Sequence, residues 1–397
     1  MLSLYYIGID KKYLIKLIQY FSLMISSVII LGDVFHFGYR AYGEGALRCT
    51  KSIFDWFKFN NVYRFSFYEL TCRGLYYSAN QLSATTFMIM PILLYGVYKN
   101  RKKFDYIVLS CMIVAMYMLG TKVSTLGVLA VFVMFYFLYL FFIIYNKVKK
   151  NAIKLNNILG ITIIMIVSIF LFLFSPRSYE MKFDNIDVSS VELIEDNLSG
   201  NDMDVTDFNK QWHEVEKLQC YEMNDLEKKQ FLSFFNQYSD YMGVSDFIIK
   251  SYNPQSYPDF WCNYLQTAPN NDYRVLKTAI LNKIYTDNNN SLDKYFGLGY
   301  NLNFIYTETD YSFQFYSYGI IGCIIFLGGY FVAILYSLYS LFKNKKFTLE
   351  NILLLSAPAI ALFTAQFSGH VLERTIPLLT LAFLSGIVLL NNDVENE

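Results

Sequence analysis

Long apolar runs alternate with short lysine-rich gaps along this chain, and one long polar stretch interrupts them. A helix needs about 20 mainly apolar residues to cross the hydrocarbon core of a bilayer. Eight runs read as such helices: roughly 14–34, 80–98, 104–121, 123–145, 155–175, 312–342, 350–369 and 375–391. Only a tight turn around Gly120, Thr121 and Lys122 separates the third from the fourth. The sixth is long enough to extend beyond the bilayer at one end. The first run follows Lys11, Lys12 and Lys16 and lacks a small-residue cleavage pattern, so it reads as a helix that stays in the membrane. The pattern predicts an all-α polytopic membrane protein with about eight transmembrane helices and a large, mainly helical extracytoplasmic loop.

Basic residues orient the helices. They cluster at Lys11, Lys12 and Lys16, at Lys99, Arg101, Lys102 and Lys103, at Lys147, Lys149, Lys150 and Lys154, and at Lys343, Lys345 and Lys346. With eight helices all four clusters fall on one side, which the positive-inside rule assigns to the cytoplasm together with both termini. The expected organisation is 1–175 for five helices with an outer loop at 35–79, 176–311 for an extracytoplasmic subdomain, and 312–397 for three further helices. Residues 176–307 carry 20 acids against 11 bases, the reverse of a cytoplasmic segment. Within them 207–249 has a helical look, SYNPQSYPDFWCNYL is aromatic and polar, and TDNNNSLD reads as a turn.

Composition agrees with this picture. Of 397 residues, 54% are hydrophobic and 17% charged, below the charge of a soluble domain. The 36 Phe and 35 Tyr gather near the ends of the apolar runs, as interfacial belts do. Lys plus Arg equals Asp plus Glu at 33 each, and no nucleic acid is expected as a partner. The six Cys form no CxxC, so a zinc or redox site is not expected. Cys49 with Cys72, or Cys220 with Cys262, would bridge if their loops faced an oxidising space; unpaired thiols are the simpler expectation.

The polar residues that ask for an explanation collect on the predicted outer face. Arg73 and Asn80 lie in TCRGLYYSANQLSA, Lys122 in LGTKVSTLG, and Arg274 in NDYRVLKTAILNKIY. Glu308 and Asp310 precede the sixth helix in GLGYNLNFIYTETDYSFQFYSYGIIG, and Gly369 and His370 sit in QFSGHVLERTIPLL. Each has a plain structural reading beside the functional one. Arg73 suits a snorkelling anchor, Lys122 a helix cap, and Glu308 and Asp310 carboxylates on a helix dipole. His370 suits a satisfied interfacial histidine, and Gly319 with Gly322 suits close helix packing. Opposite charges meeting at one membrane face nonetheless suggest a lined cavity.

These motifs resemble the O-antigen polymerase and ligase superfamily of membrane glycosyltransferases, from about Arg73 to the C-terminus. RGLYYSANQLSATTFMIMPILL, LGTKVSTLGVLAVF, the Arg-bearing segment ending in GLGY, and SGHVL carry the resemblance. Ligase members have His-Asn, nine residues, then Gly-x-x-Gly. Here Glu308 and Thr309 stand in that place, followed by nine residues and Gly319-Ile-Ile-Gly322. Glutamate in place of histidine points to a polymerase of capsule, exopolysaccharide or O-antigen. The superfamily usually has more spans before the Arg-Gly pair, which here follows one helix.

The resemblance implies a donor oligosaccharide on a polyprenyl diphosphate, with membrane lipid around it and a flippase and a chain-length regulator as partners. Such a donor needs no nucleotide cofactor, and the chain has no P-loop; no acidic cluster has metal-ligand spacing, so no metal is expected. Glu308, with Asp310 or His370 as substitutes, is the expected base for the acceptor hydroxyl. Arg73, Lys122, Arg274 and Asn80 are the expected diphosphate and substrate contacts. Ligase-type transfer to another acceptor, or a non-catalytic transport or assembly role for lipid-linked glycans, is the alternative.

Overall fold

The computed structural model describes residues 10–42, 46–59, 66–148, 158–184, 219, 220, 222–238, 252–267, 273–299, 307 and 309–390. The protein is all-α and polytopic, and each of the eight apolar runs contains or forms a helix. These are α1 (Lys11–Val34), α2 (Ala79–Asn100), α3 (Lys103–Leu119), α4 (Lys122–Val148) and α5 (Leu159–Leu173), then α11 (Asp310–Lys343), α12 (Leu349–Phe367) and α13 (Thr375–Leu390). Five are long and apolar enough to cross a membrane alone, and α5 joins them if counted with the bent continuation α6 (Pro176–Asp184). Helices α3 and α13 are shorter, at 17 and 16 residues. Between α6 and α11 lie α7 (Asp225–Tyr238), α8 (Pro258–Thr267), α9 (Tyr273–Asn288) and the single turn α10 (Asp293–Phe296).

The chain forms two compact units. The first comprises 1–186, 309–311 and 324–397; the second comprises 187–308 and 312–323.

In the first unit α2 is the central post. It packs along α12, α3, α4, α13 and α1, and 83% of its apolar window is buried. That burial explains why it tolerates Ser83, Thr85 and Thr86: each hydroxyl returns a hydrogen bond to a carbonyl of its own helix, so none is left unsatisfied. Helices α5 and α11 lie at the periphery. Ile324, Ile325, Val332 and Leu335 of α11 are more than 60% exposed, a lipid-facing surface.

The ends of this bundle are defined by side-chain contacts. Lys99 at the end of α2 pairs with Glu350 at the start of α12 at 3.1 Å, so α12 runs antiparallel to α2. Lys11 at the start of α1 lies over the Tyr95 ring of α2 and beside Lys99, Glu350 and Lys346. Phe347 stacks on Phe342 and meets Phe142 and Tyr145 of α4. The described members of all four basic clusters therefore share one end of the bundle, as the loop charges predict.

At the other end the described parts of the segment between α1 and α2 are folded. Tyr39 and Arg48 form an isolated bridge, and Arg73 N donates to Tyr39 O at 2.8 Å. Trp56 is fully buried and its ring N–H donates to Leu70 O. Asp33 caps the Ile53 amide at 2.7 Å. The turn at Gly120 takes the expected form, a left-handed cap closing α3.

The second unit has its own core of Phe231, Phe235, Trp261, Tyr264, Leu276 and Ile280. Trp261 of the FW pair is in that core, with its ring N–H on Tyr252 O at 2.9 Å. A disulfide joins Cys220 to Cys262, which corrects the expectation of unpaired thiols. Closing a 42-residue separation contributes about 4 kcal/mol by chain entropy. Of the helical-looking stretch 207–249, Asp225–Tyr238 is a helix; 219, 220 and 222–224 are described outside it, and the remainder lies outside the described residues. Helix α9 runs on through Thr286, Asp287 and Asn288, so the turn in TDNNNSLD begins only at Asn289, whose φ is 45°.

Candidate functional site

Arg73 and Gly74 begin the site. Gly74 has φ +62°, and a Cβ there would sit 2.9 Å from Val28 O of α1. Only glycine allows that approach, so Gly74 fixes where the neighbouring Arg73 stands. Arg73 is half-buried, and its Nε finds no hydrogen-bond partner among the described residues. Asn80 is half-buried in the first turn of α2, which Ser78 caps through the Gln81 amide.

Lys122 is exposed at the first residue of α4. Among the described residues it caps no carbonyl of α3; Gly120 closes that helix through its N–H to Tyr117 O. Thr121 Oγ1 donates to Ser83 Oγ at 2.6 Å, tying the start of α4 to the start of α2. Cys72 N donates to Met118 O at 2.8 Å and adds the end of α3. Arg73, Asn80 and Lys122 are thus held at the same end of the bundle, opposite the lysine clusters. Cys49 and Cys72 remain thiols there. Hydrogen bonding with Cys49, then burial, raises the Cys72 pKa far above the ordinary thiol value, which makes it a poor nucleophile.

Asp310 opens α11 and is completely buried. Its Oδ2 accepts from Val371 N at 2.7 Å and Leu372 N at 2.9 Å. The His370 amide also faces it, and Arg374 is near enough to act on its charge. Gly369 and His370 both adopt left-handed backbone, φ 66° and 62°. For histidine this is uncommon and persists only where the surroundings impose it. Asp310 imposes it by collecting the amides that such a turn presents. Because α12 runs antiparallel to α2, its C-terminal turn places His370 at the Arg73 end of the bundle. His370 is itself 9% exposed.

Asp310, anticipated as a substitute base, clamps the 370–372 turn through Oδ2, while its Oδ1 has no hydrogen-bond partner among the described residues. Asp310→Ala should leave two buried amides unpaired, at about 1–3 kcal/mol each, and lower both thermal stability and transfer. Asp310→Asn keeps an acceptor oxygen and should retain most of both. Loss of transfer in the Asn variant with unchanged stability would restore Asp310 to a chemical role.

Glu308 lies outside the described residues. Arg274 is the second residue of α9 in the second unit; its backbone is described and its side chain is not. Arg374 was not among the expected site residues, although its place four residues after His370, in HVLERT, was visible.

The glycines of GLGY and GxxG correct a second expectation. In the second unit Leu298 N donates to Tyr316 O at 2.7 Å and Gly299 N to Ser317 O at 3.2 Å. Gly319 has φ 64° and ψ −170°, a break inside α11. A Cβ on Gly319 would lie 2.4 Å from Tyr295 C, and one on Gly297 would lie 2.5 Å from Ser317 C. A Cβ on Gly322 would lie 2.2 Å from Tyr318 Cβ. The motif is a backbone joint between the α10 turn and the bend of α11, not a packing face for another membrane helix. The extension of the sixth apolar run beyond one bilayer length is the part before this bend.

A family model described as O-antigen ligase like membrane protein matches residues 3–395. No curated protein and no solved structure matches the chain.

Proposed function

Because the chain belongs to the O-antigen ligase-like membrane protein family, we propose that it polymerises lipid-linked oligosaccharide repeats into a surface polysaccharide. Membrane glycan processing is what the family has in common, and the finer assignment rests on this chain's own residues. The observation that carries it is the polarity of the bundle. The described members of the lysine clusters lie at one end, while Arg73, Lys122 and the Asp310-held His370 turn lie at the other. By the positive-inside rule the lysine end is cytoplasmic and the Arg73 end faces outward. The disulfide Cys220–Cys262 in the second unit supports an oxidising exterior for that unit.

In the proposed reaction the donor is an oligosaccharide on a polyprenyl diphosphate. An acceptor hydroxyl loses its proton to Glu308 as its oxygen bonds to the anomeric carbon. The bond from that carbon to the diphosphate breaks, and its electron pair leaves on the diphosphate. The transition state has oxocarbenium character, and charge grows on the leaving group. Arg73, Arg274 and Lys122 are assigned to that charge, the arginines by forked contacts that suit phosphate oxygens. Asn80 is assigned to the substrate beside Arg73. Asp310 positions His370 and its turn through Oδ2. Glutamate at 308, where ligases have histidine, favours polymerisation over ligation.

Arg73→Lys keeps the charge and loses the fork; Arg73→Ala loses both. Transfer should fall in the order wild type, Lys, Ala, with the Ala variant down by about 10²-fold, as for loss of one charge-stabilising group. Measured on membranes with equal amounts of protein, an Ala variant as active as wild type would remove Arg73 from the site.

A further inference from the structure

A cleft of about 140 Å³ lies at the basic end of the first unit, between the last turns of α2 and α4 and the start of α12. Tyr98, Tyr139 and Phe347 supply rings to it, and Asn146, Thr348 and Glu350 supply polar groups. Tyr139 is only 6% exposed, and its hydroxyl has no hydrogen-bond partner among the described residues. Buried hydroxyls are nearly always partnered, so this one points to an occupant.

The charge around the cleft selects the occupant. Glu350 is neutralised by Lys99 at 3.1 Å, and Lys11 and Lys346 lie in the same neighbourhood. The surroundings are net positive, whereas the polar groups at the cleft are mainly neutral. A phosphate at the rim and hydroxyls inside fit that arrangement. Away from the cleft, the opposite side of α4 exposes Phe137, Leu140 and Ile144 at 70%, 58% and 65%, so the helix that lines the cleft also meets lipid. A cavity of this size holds a headgroup and not a whole lipid.

We propose that this cleft seats the headgroup of an anionic phospholipid from the leaflet at the basic end. Its phosphate meets Lys99 and Lys346, and its hydroxyls meet Tyr139, Asn146 and Glu350. Lysines beside a cleft between membrane helices are the usual setting for such recognition.

The test is native mass spectrometry of the detergent-purified full chain, titrated with dioleoyl phosphatidylglycerol, dioleoyl phosphatidylcholine or glycerol 3-phosphate. One phosphatidylglycerol per chain should bind about tenfold tighter than phosphatidylcholine. Lys346→Ala should weaken it about fivefold, the attraction of one surface lysine, and Asn146→Leu should weaken it similarly. Glycerol 3-phosphate at the same concentration should not displace the lipid. Equal binding of the two lipids overturns the proposal, and so does displacement by glycerol 3-phosphate. So do variants that bind like the wild type. The lipid comparison needs no variant, so it stands even where a substitution impairs folding.

Discussion

Glu308→Gln should lower glycan transfer by about 10²–10⁴-fold, the contribution of a general base, with the protein still inserted at wild-type level. Glutamine keeps the size and an acceptor oxygen but cannot take the acceptor proton. Arg274→Ala should cause a loss of at least similar size, because unbalanced charge on a departing diphosphate is costly where preorganised charges replace water. Combining the two should not multiply the losses if both act on one transition state. Gel profiles of surface polysaccharide, normalised to membrane-bound protein, give the readout. Full-length polymer in both single variants would remove Glu308 and Arg274 from the chemistry and leave the family assignment untouched.

Gly319→Ala should be strongly destabilising for a single added methyl. At φ 64° and ψ −170° the residue occupies a region open essentially only to glycine. The added Cβ would sit 2.4 Å from the Tyr295 backbone, which cannot rotate away as a side chain does. Conformational strain accounts for about 1–3 kcal/mol. The displaced joint would add the hydrogen bonds from Leu298 and Gly299 to Tyr316 and Ser317, at about 1 kcal/mol each. Gly328→Ala is the control. It lies in the same helix, and a Cβ there meets nothing within 4 Å. It should be neutral or stabilising by up to about 1 kcal/mol through helix propensity. Limited proteolysis and thermal unfolding of both variants separate the outcomes; equal behaviour would mean that the joint is not rigid.

The helices were legible because length and apolarity are what a bilayer demands, and nothing in tertiary structure overrides that demand. The gathering of the basic clusters at one end was legible for a similar reason, since each cluster is local and their common face follows from counting helices. What tertiary structure decides was not legible. GxxG spacing in an apolar run is the same whether it packs against a second helix or bends the first. Only the approach of Tyr295 and Gly297 to residues 317–319 distinguishes them. Asp310 at a helix start looks like a dipole carboxylate or a catalytic acid; its hold on the amides of Val371 and Leu372, some sixty residues away, appears in neither pattern. Cys220 and Cys262 had no spacing signature to separate a bridge from two thiols. Arg374 stands in HVLERT, but nothing in the sequence pattern ties it to Asp310.

The most direct test uses purified full-length protein in liposomes with one polyprenyl-diphosphate-linked oligosaccharide and no other enzyme. Ladders of glycan growing by whole repeat units, with release of polyprenyl diphosphate and dependence on Glu308, are the predicted result. Substrate that stays as single repeats, or crosses the bilayer unchanged, would contradict a polymerase and leave a transport or assembly protein in its place.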